Sequence, residues 1–326
     1  MTRAVVAHAL GAPSSFAVET IDVGAPAPGA VTVEIHAAGV SFVDVLIAAG
    51  EYQLKPPVPF TPGSEFSGIV TAVGEGVDRL RIGDRVLGSA LGSAFGEAAV
   101  VSASGVLPIP DTMDFHEAAV FRVSYATAYH ALVQRGRLQA GETVLVLGAG
   151  GAVGYAAVQL AKALGARVIG SASSEAKRAL ATAGGADAVV ESASPTWRDE
   201  VKAANDGRGV DVVIDPVGGD ATERAFRALA WDGRHLVIGF AAGAIAKLPA
   251  NLTLLKGAAL IGVDIRQFGI FQPDVASANL TALFELYRQG LLHPPIARRF
   301  RLDDFAAAMD AARSGSSAGR IILTMR

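Results

Sequence analysis

Residues 143–154 read Thr-Val-Leu-Val-Leu-Gly-Ala-Gly-Gly-Ala-Val-Gly, and the amphipathic run AAVQLAKALGA follows one residue later. Four consecutive apolar β-formers, Val144 to Leu147, run straight into a glycine cluster, and a helix pattern opens where the glycines stop. A strand, a nearly bare turn and a helix N-terminus together present backbone N–H groups to a pyrophosphate. Any side chain on the turn would hold the phosphate off them. Strict G-x-G-x-x-G spacing from Gly148 fails at Val153; counted from Ala149, the pattern runs through Gly151 to Gly154. The expectation is a dinucleotide seated on Gly148, Gly151, Ala152 and Val153.

The context repeats the unit. Strand-like runs recur at Ala166–Gly170, Ala188–Val190, Val210–Asp215, Arg234–Gly239 and Ala258–Ile265, with helical stretches between the early ones. Alternating strand and helix predicts an α/β, doubly wound parallel sheet. Residues 1 to about 112 differ. Val31, Val33 and Ile35 alternate with polar residues, and short runs follow at Gly68–Val73, Asp84–Leu87 and Glu97–Val101, which predicts a β-rich, barrel-like domain. Asp114 is placed to cap a helix from Phe115 towards Leu132. Beyond the sheet, Asp274–Leu291 reads as an amphipathic helix, Leu302–Ala312 as another, and Arg320–Thr324 as a strand. The expected division is 122–266 for the nucleotide-binding domain and 1–121 with 267–326 for the other, with ligand bound outside the carboxyl ends of the strands, facing the interdomain cleft.

Composition narrows the chemistry. A chain of 326 residues with 51% hydrophobic and 18% charged residues builds a sizeable core. A net charge of −3 without a basic run argues against nucleic acid, and no apolar stretch reaches membrane-spanning length. The start, MTRAVVAHAL, does not read as a secretory signal, so the expected compartment is the cytoplasm. With zero Cys there is no disulfide and no thiolate for zinc.

Short motifs in order along the chain then become recognisable. They are GVSFVD at 39–44, GEY at 50–52, PGSEFSGIV at 62–70, GDRV at 83–86, TAYHAL at 127–132, GETVL at 141–145, QLAK at 159–162 and GVDVVIDPVG at 209–218. With them the chain resembles the zinc-independent medium-chain dehydrogenases/reductases, in the quinone oxidoreductase branch. That resemblance implies a Rossmann sheet inserted into a GroES-like domain, a nicotinamide cofactor, and a homodimer paired through the Rossmann sheets. It also implies that the places where zinc-using relatives hold metal are here Ser41, Ser64 and Val123, a set unfit for zinc. Quinones and activated alkenes need less electrophilic help than alcohols, since the nicotinamide carries the chemistry.

Ser171, Ser173 and Ser174 stand where an NAD enzyme would carry an acid for the ribose 2′-hydroxyl, and Lys177 and Arg178 follow; hydroxyls and cations suit a 2′-phosphate and so NADPH. Glu175 pulls the other way, and Ser174 also reads as a helix cap. From the resemblance, Tyr52 lies beside the substrate, Ser41 and Asp44 form a polar pair near it, and Thr127 sits against the nicotinamide. Gly239 and Phe240 at the end of the fifth strand, and Ile265 and Arg266 at the end of the sixth, border the nicotinamide. Arg320 matches a basic position that reaches the cofactor phosphate or ribose. His130 reads as structural. Arg122 stands where relatives carry a helix-opening Pro, and the expectation is a pocket-lining cation that favours anionic or strongly polar acceptors. The expected function is NADPH-dependent reduction of a quinone or other conjugated carbonyl without metal. The alternatives are a 2-enoyl thioester reductase and a non-catalytic NADPH-binding protein.

Overall fold

The computed structural model describes residues 1–325. They form two compact units, 1–123 with 294–325 and 124–293.

The first unit opens with the hairpin β1 (Thr2–Val6) and β2 (Ala17–Ile21), then β3 (Ala30–Val40) and α1 (Phe42–Ala49). Strands β4 (Glu65–Val73), β5 (Arg85–Ser89), β6 (Ala98–Ser102) and β7 (Val106–Pro108) follow. Helix α2 (Phe115–Tyr129) is capped by Asp114, whose carboxylate accepts from the Glu117 N–H. The alternating residues of β3 point Val31, Val33 and Ile35 into one core with Phe66, Val70 and Val86.

The second unit is an unbroken series of β-α pairs. They are β8 (Thr143–Leu147), α3 (Ala152–Ala163), β9 (Arg167–Ala172), α4 (Glu175–Ala183), β10 (Ala188–Glu191), α5 (Trp197–Ala203), β11 (Val210–Asp215), α6 (Asp220–Ala228) and β12 (Leu229–Val237). Then come α7 (Asn251–Lys256), β13 (Ala259–Gly262), α8 (Ile265–Phe271) and α9 (Pro273–Arg288). The six strands pair in parallel in the order β10-β9-β8-β11-β12-β13, the doubly wound order whose switch point lies between β8 and β11. Every residue of β8 is buried, which is why its sequence is a continuous apolar run rather than an alternation.

The chain ends in the first unit with β14 (Ile296–Arg301), α10 (Phe305–Ser314) and β15 (Arg320–Thr324). β15 pairs antiparallel with β3, so the last strand and the third share a sheet of order β14-β15-β3-β4-β5-β7, with β6 also on β3.

Three expectations change here. The second boundary falls at 293/294 rather than 266/267, because α9 packs within the second unit: Asn279 and Gln134 exchange side-chain hydrogen bonds at 3.0 and 3.1 Å. The first boundary moves by two residues to 123/124. Ile265 and Arg266 do not end a strand: β13 stops at Gly262, and Asp264 caps α8 by accepting from the Gln267 N–H. Strands β1, β2, β7 and β14 are further elements that the sequence pattern does not announce. Among the described residues, no helix is long and apolar enough to cross a membrane.

Candidate active site

The glycine turn of the second unit is built around Gly148. It adopts φ +61°, and a Cβ added at Gly154 would lie 2.1 Å from its carbonyl oxygen. Gly154 therefore supplies the close helix–strand contact, and Val153 need not be glycine. Gly151 is the N-cap of α3 and offers no side-chain cap, so the first-turn N–H groups of this helix remain open to an anion. Gly150 serves a different contact, since a Cβ there would sit 2.6 Å from Cβ of Lys177. Its bareness seats the first turn of α4 on the glycine turn and brings the stem of Lys177 beside it. These residues fit a dinucleotide.

The end of β9 divides its serines. Ser171 is buried, and its hydroxyl accepts from the Trp197 indole N–H at 2.9 Å. It braces α5 and is turned away from solvent, which removes it from the set of expected cofactor contacts. Ser173 is exposed. Ser174 is exposed and caps α4 by accepting from the Lys177 N–H. Arg178 is engaged with the Ala172 carbonyl and with Glu191. Gly239 and Phe240 lie just beyond β12, with Phe240 packed over Gly218. Thr127 is buried on α2, and Arg266 is exposed on α8. His130 stacks on Phe268 with ring centroids 3.8 Å apart and bonds Gln134, the structural role expected of it.

In the first unit, Ser41, Asp44 and Ser64 converge. Ser41 and Asp44 form a reciprocal capping box at the start of α1. The Ser41 hydroxyl donates to Asp44 Oδ2 at 2.6 Å and the Ser64 hydroxyl to Oδ1 at 2.6 Å, while the Ser41 N–H donates to Oδ2 at 2.9 Å. Asp44 is only 2% exposed. Burial pushes its carboxyl up, against the downward pull of the Ser41 and Ser64 hydrogen bonds and the charge of Arg320. Beside it, Glu65 accepts from the Val123 N–H at 2.7 Å and pairs with Arg320 at 3.0 Å. Burial outweighs both partners and leaves the Glu65 carboxyl above its ordinary value. Arg320 is thus committed to Glu65 inside its own unit, which corrects its expected reach to a cofactor phosphate. Tyr52 follows α1 and is half-buried.

Arg122 also departs from expectation. It lies in the middle of α2, not at its start, and its guanidinium donates to the Gly105 carbonyl. Arg79 holds the Ala103 carbonyl of the same turn. The two cations brace residues 103–105, so Arg122 is a packing residue and not a pocket-lining cation. The pairing of Glu65 with Arg320 is not legible in the sequence; a Glu inside a buried β-strand is the one signal that a cation must lie against it.

Comparison with known proteins agrees with this geometry. Residues 27–111 match the alcohol dehydrogenase GroES-like domain, and residues 152–279 match the zinc-binding dehydrogenase domain. The mouse quinone oxidoreductase-like protein 2 is 39% identical over 300 residues, spanning 92% of this chain and 86% of that one. The chain belongs to the quinone oxidoreductase family of medium-chain dehydrogenases/reductases. Rat quinone oxidoreductase is 33% identical over 329 residues, covering 100% of this chain and 98% of its own. A mycobacterial protein solved in complex with NADPH superimposes with a TM-score of 0.91 at 26% identity, over 99% of this chain and 100% of that one. Membership in this family makes the chain an oxidoreductase that uses a nicotinamide cofactor.

Proposed function

We propose that this chain is an NADPH-dependent reductase of quinones or other conjugated carbonyls that works without a metal ion. The observation that carries the reading is the pairing of a glycine turn with a lysine laid against it, in a chain whose metal-ligand positions hold two serines and a valine. The open N–H groups at Ala152 and Val153 receive the pyrophosphate, on a turn closed by the Gly151 N–H donating to the Gly148 carbonyl at 2.8 Å. Ser173, Ser174 and Lys177 receive the 2′-phosphate, with a charge-assisted contact from the ammonium. Thr127, Gly239 and Phe240 bound the nicotinamide end.

Bound in this cradle, the cofactor supplies a hydride. The chain's own residues orient the acceptor and provide the proton. The Tyr52 phenol donates to the acceptor carbonyl, while the hydroxyls of Ser41 and Ser64 donate to Asp44. No thiolate or imidazole stands among Ser41, Ser64 and Val123, so polarisation of the carbonyl falls to the Tyr52 phenol.

We further propose a homodimer joined edge to edge through β13. This strand ends the six-stranded sheet, and Leu260 on it is 45% exposed, with Trp231 at 77% and Leu254 at 80% close to the same edge. An unpaired apolar edge is a template for a second identical strand. The test combines two measurements. NADPH consumption with quinones, enones and enoyl thioesters, before and after chelation, must show quinone or enone turnover that survives chelator. Light scattering must show twice the chain mass, reduced to one by Leu260→Arg. Activity with enoyl thioesters alone, or loss on chelation, overturns the reading.

A further inference from the structure

Asp215 is the last residue of β11, the strand that pairs with β8 at the switch point, and it is sealed from solvent. Four groups donate to its side chain. The Val217 and Gly218 N–H groups reach Oδ1 at 2.9 and 2.8 Å, while the Thr222 hydroxyl and His235 Nε2 reach Oδ2 at 2.6 and 2.9 Å. A carboxyl surrounded only by donors is suited to its ionised form. Burial pushes its pKa up, but the hydrogen bonds from His235, Gly218 and Thr222 outweigh burial and hold it below the ordinary carboxylate range. Thr222 on α6 and His235 on β12 are buried as well. His235 Nδ1 has no hydrogen-bond partner among the described residues, so the polar contact of that ring is with Asp215.

The turn that Asp215 closes touches the glycine turn on one side and the exit of β12 on the other. A Cβ on Gly148 would stand 3.1 Å from Val217 Cγ2. Past the ends of β11 and β12 the two exits remain bonded to each other. The Ile238 N–H donates to the Asp215 carbonyl at 2.9 Å, the Ala241 N–H to Pro216 at 3.2 Å, the Ala242 N–H to Val217 at 2.9 Å, and the Gly219 N–H to Ala244 at 3.0 Å. Phe240 lies against Gly218, where a Cβ would come within 2.8 Å of its ring. One carboxylate thus holds residues 216–219, and these hold 238–244.

We propose that Asp215 is a positioning residue for the nicotinamide cofactor: with His235 and Thr222 behind it, it holds the 216–219 turn against Gly148 and, through that turn, keeps Gly239 and Phe240 in place, without touching the cofactor itself. In the cofactor reading above, on which this role rests, Gly239 and Phe240 bound the nicotinamide end. Ser173, Ser174 and Lys177 follow β9, which flanks β8 on the side opposite to β11. Loss of the Asp215 carboxylate therefore loosens the nicotinamide end and leaves the 2′-phosphate end as it is.

The test uses the full chain without acceptor and two ligands, NADPH and adenosine 2′,5′-bisphosphate, which carries the 2′-phosphate but no nicotinamide. Asp215→Ala should raise the Kd for NADPH by about tenfold or more, the effect of a cradle that is in place only about a tenth of the time, and leave the Kd for the bisphosphate unchanged. In the ligand-free variant, amide hydrogen exchange should speed up at 216–219 and 238–244 and keep its wild-type rate in α4. Asp215→Asn, whose amide oxygen still accepts the Val217 and Gly218 N–H groups, should restore most of the NADPH affinity. Thr222→Val removes one donor and nothing of the turn. It should show the same split between the two ligands, with Thr222→Ser at wild type, and it stands in if Asp215→Ala does not accumulate as folded protein. Equal weakening of both ligands in a folded variant, Asp215→Asn as weak as Asp215→Ala, wild-type NADPH affinity in both Asp215→Ala and Thr222→Val, or unchanged exchange at 216–219 overturns the positioning role and leaves the cofactor reading in place. A wild-type protein that binds neither ligand overturns the cofactor reading, and the positioning role with it.

Discussion

Arg320 donates to Glu65 across 3.0 Å although 255 positions separate them in the chain. The pair joins β15 to β4, and both residues are nearly sealed from solvent, at 7% and 5% exposure. Gly39 makes the approach possible: a Cβ there would stand 3.2 Å from Arg320 Nη2 and 2.6 Å from the Ala119 carbonyl. Removing one member of a buried pair leaves the other uncompensated, so Arg320→Leu should cost about 3–5 kcal/mol. The pH dependence has a definite sign. Glu65 already titrates above its ordinary value in the folded protein, so the folded state binds its proton more readily than the unfolded state. Loss of Arg320 strengthens that preference. The deficit of Arg320→Leu relative to wild type should therefore shrink as pH falls through the folded pKa of Glu65. Denaturant titrations at a series of pH values check this; a deficit constant with pH contradicts it.

Gly154→Ala should fail where Gly151→Ala is tolerated in folding. The added methyl meets the Gly148 backbone oxygen at 2.1 Å in the first case and 3.2 Å in the second. Backbone cannot yield as a side chain does, so Gly154→Ala should lose about 1–3 kcal/mol or not accumulate as folded protein. Thermal melts of both variants decide it, and equal Tm values would count against this packing.

Lys177→Ala should raise the KM for NADPH by at least about tenfold, equivalent to about 1.4 kcal/mol, and leave NADH nearly unchanged. The stem of Lys177 rests on Gly150, which fixes where its ammonium can reach. Steady-state kinetics with both cofactors provide the measurement. Equal effects on the two would remove the phosphate contact.

Tyr52→Phe should lower kcat/KM by about tenfold or more without lowering the Tm. The half-buried ring keeps its packing in the variant and loses only the phenol. Unchanged kinetics would assign Tyr52 to the loop's own packing.

Arg122 separates two substitutions. Arg122→Pro removes a backbone N–H in the middle of α2 and the brace on Gly105, and should destabilise by about 3 kcal/mol or more. Arg122→Leu keeps the helix and should change kcat/KM for neutral and anionic quinones by the same factor. A selective loss with the anionic quinone would restore a substrate role to this cation.

The sequence alone determined what depends on neighbours along the chain. Val144 to Leu147 can only be a buried strand, since four apolar residues running into glycines have no polar face to expose. The Gly148–Gly154 turn follows from sterics that any folded context would share. Asp114 and Ser174 cap helices through backbone groups three residues away. Tertiary structure decided what depends on partners far along the chain. By its place near the end of β9, Ser171 suits a ribose contact, but Trp197 reaches its hydroxyl; by its charge, Arg122 suits a pocket, but the 103–105 turn takes its guanidinium. The boundary at 293/294 is hidden in the sequence because α9 has the same amphipathic pattern whichever unit it covers, and contacts such as Asn279–Gln134 show which. A local pattern states that a face is apolar or a side chain charged. Which group satisfies it is a property of the assembled chain, because a buried donor or charge is stabilised by the partner that packing brings within about 3 Å, wherever that partner lies in sequence.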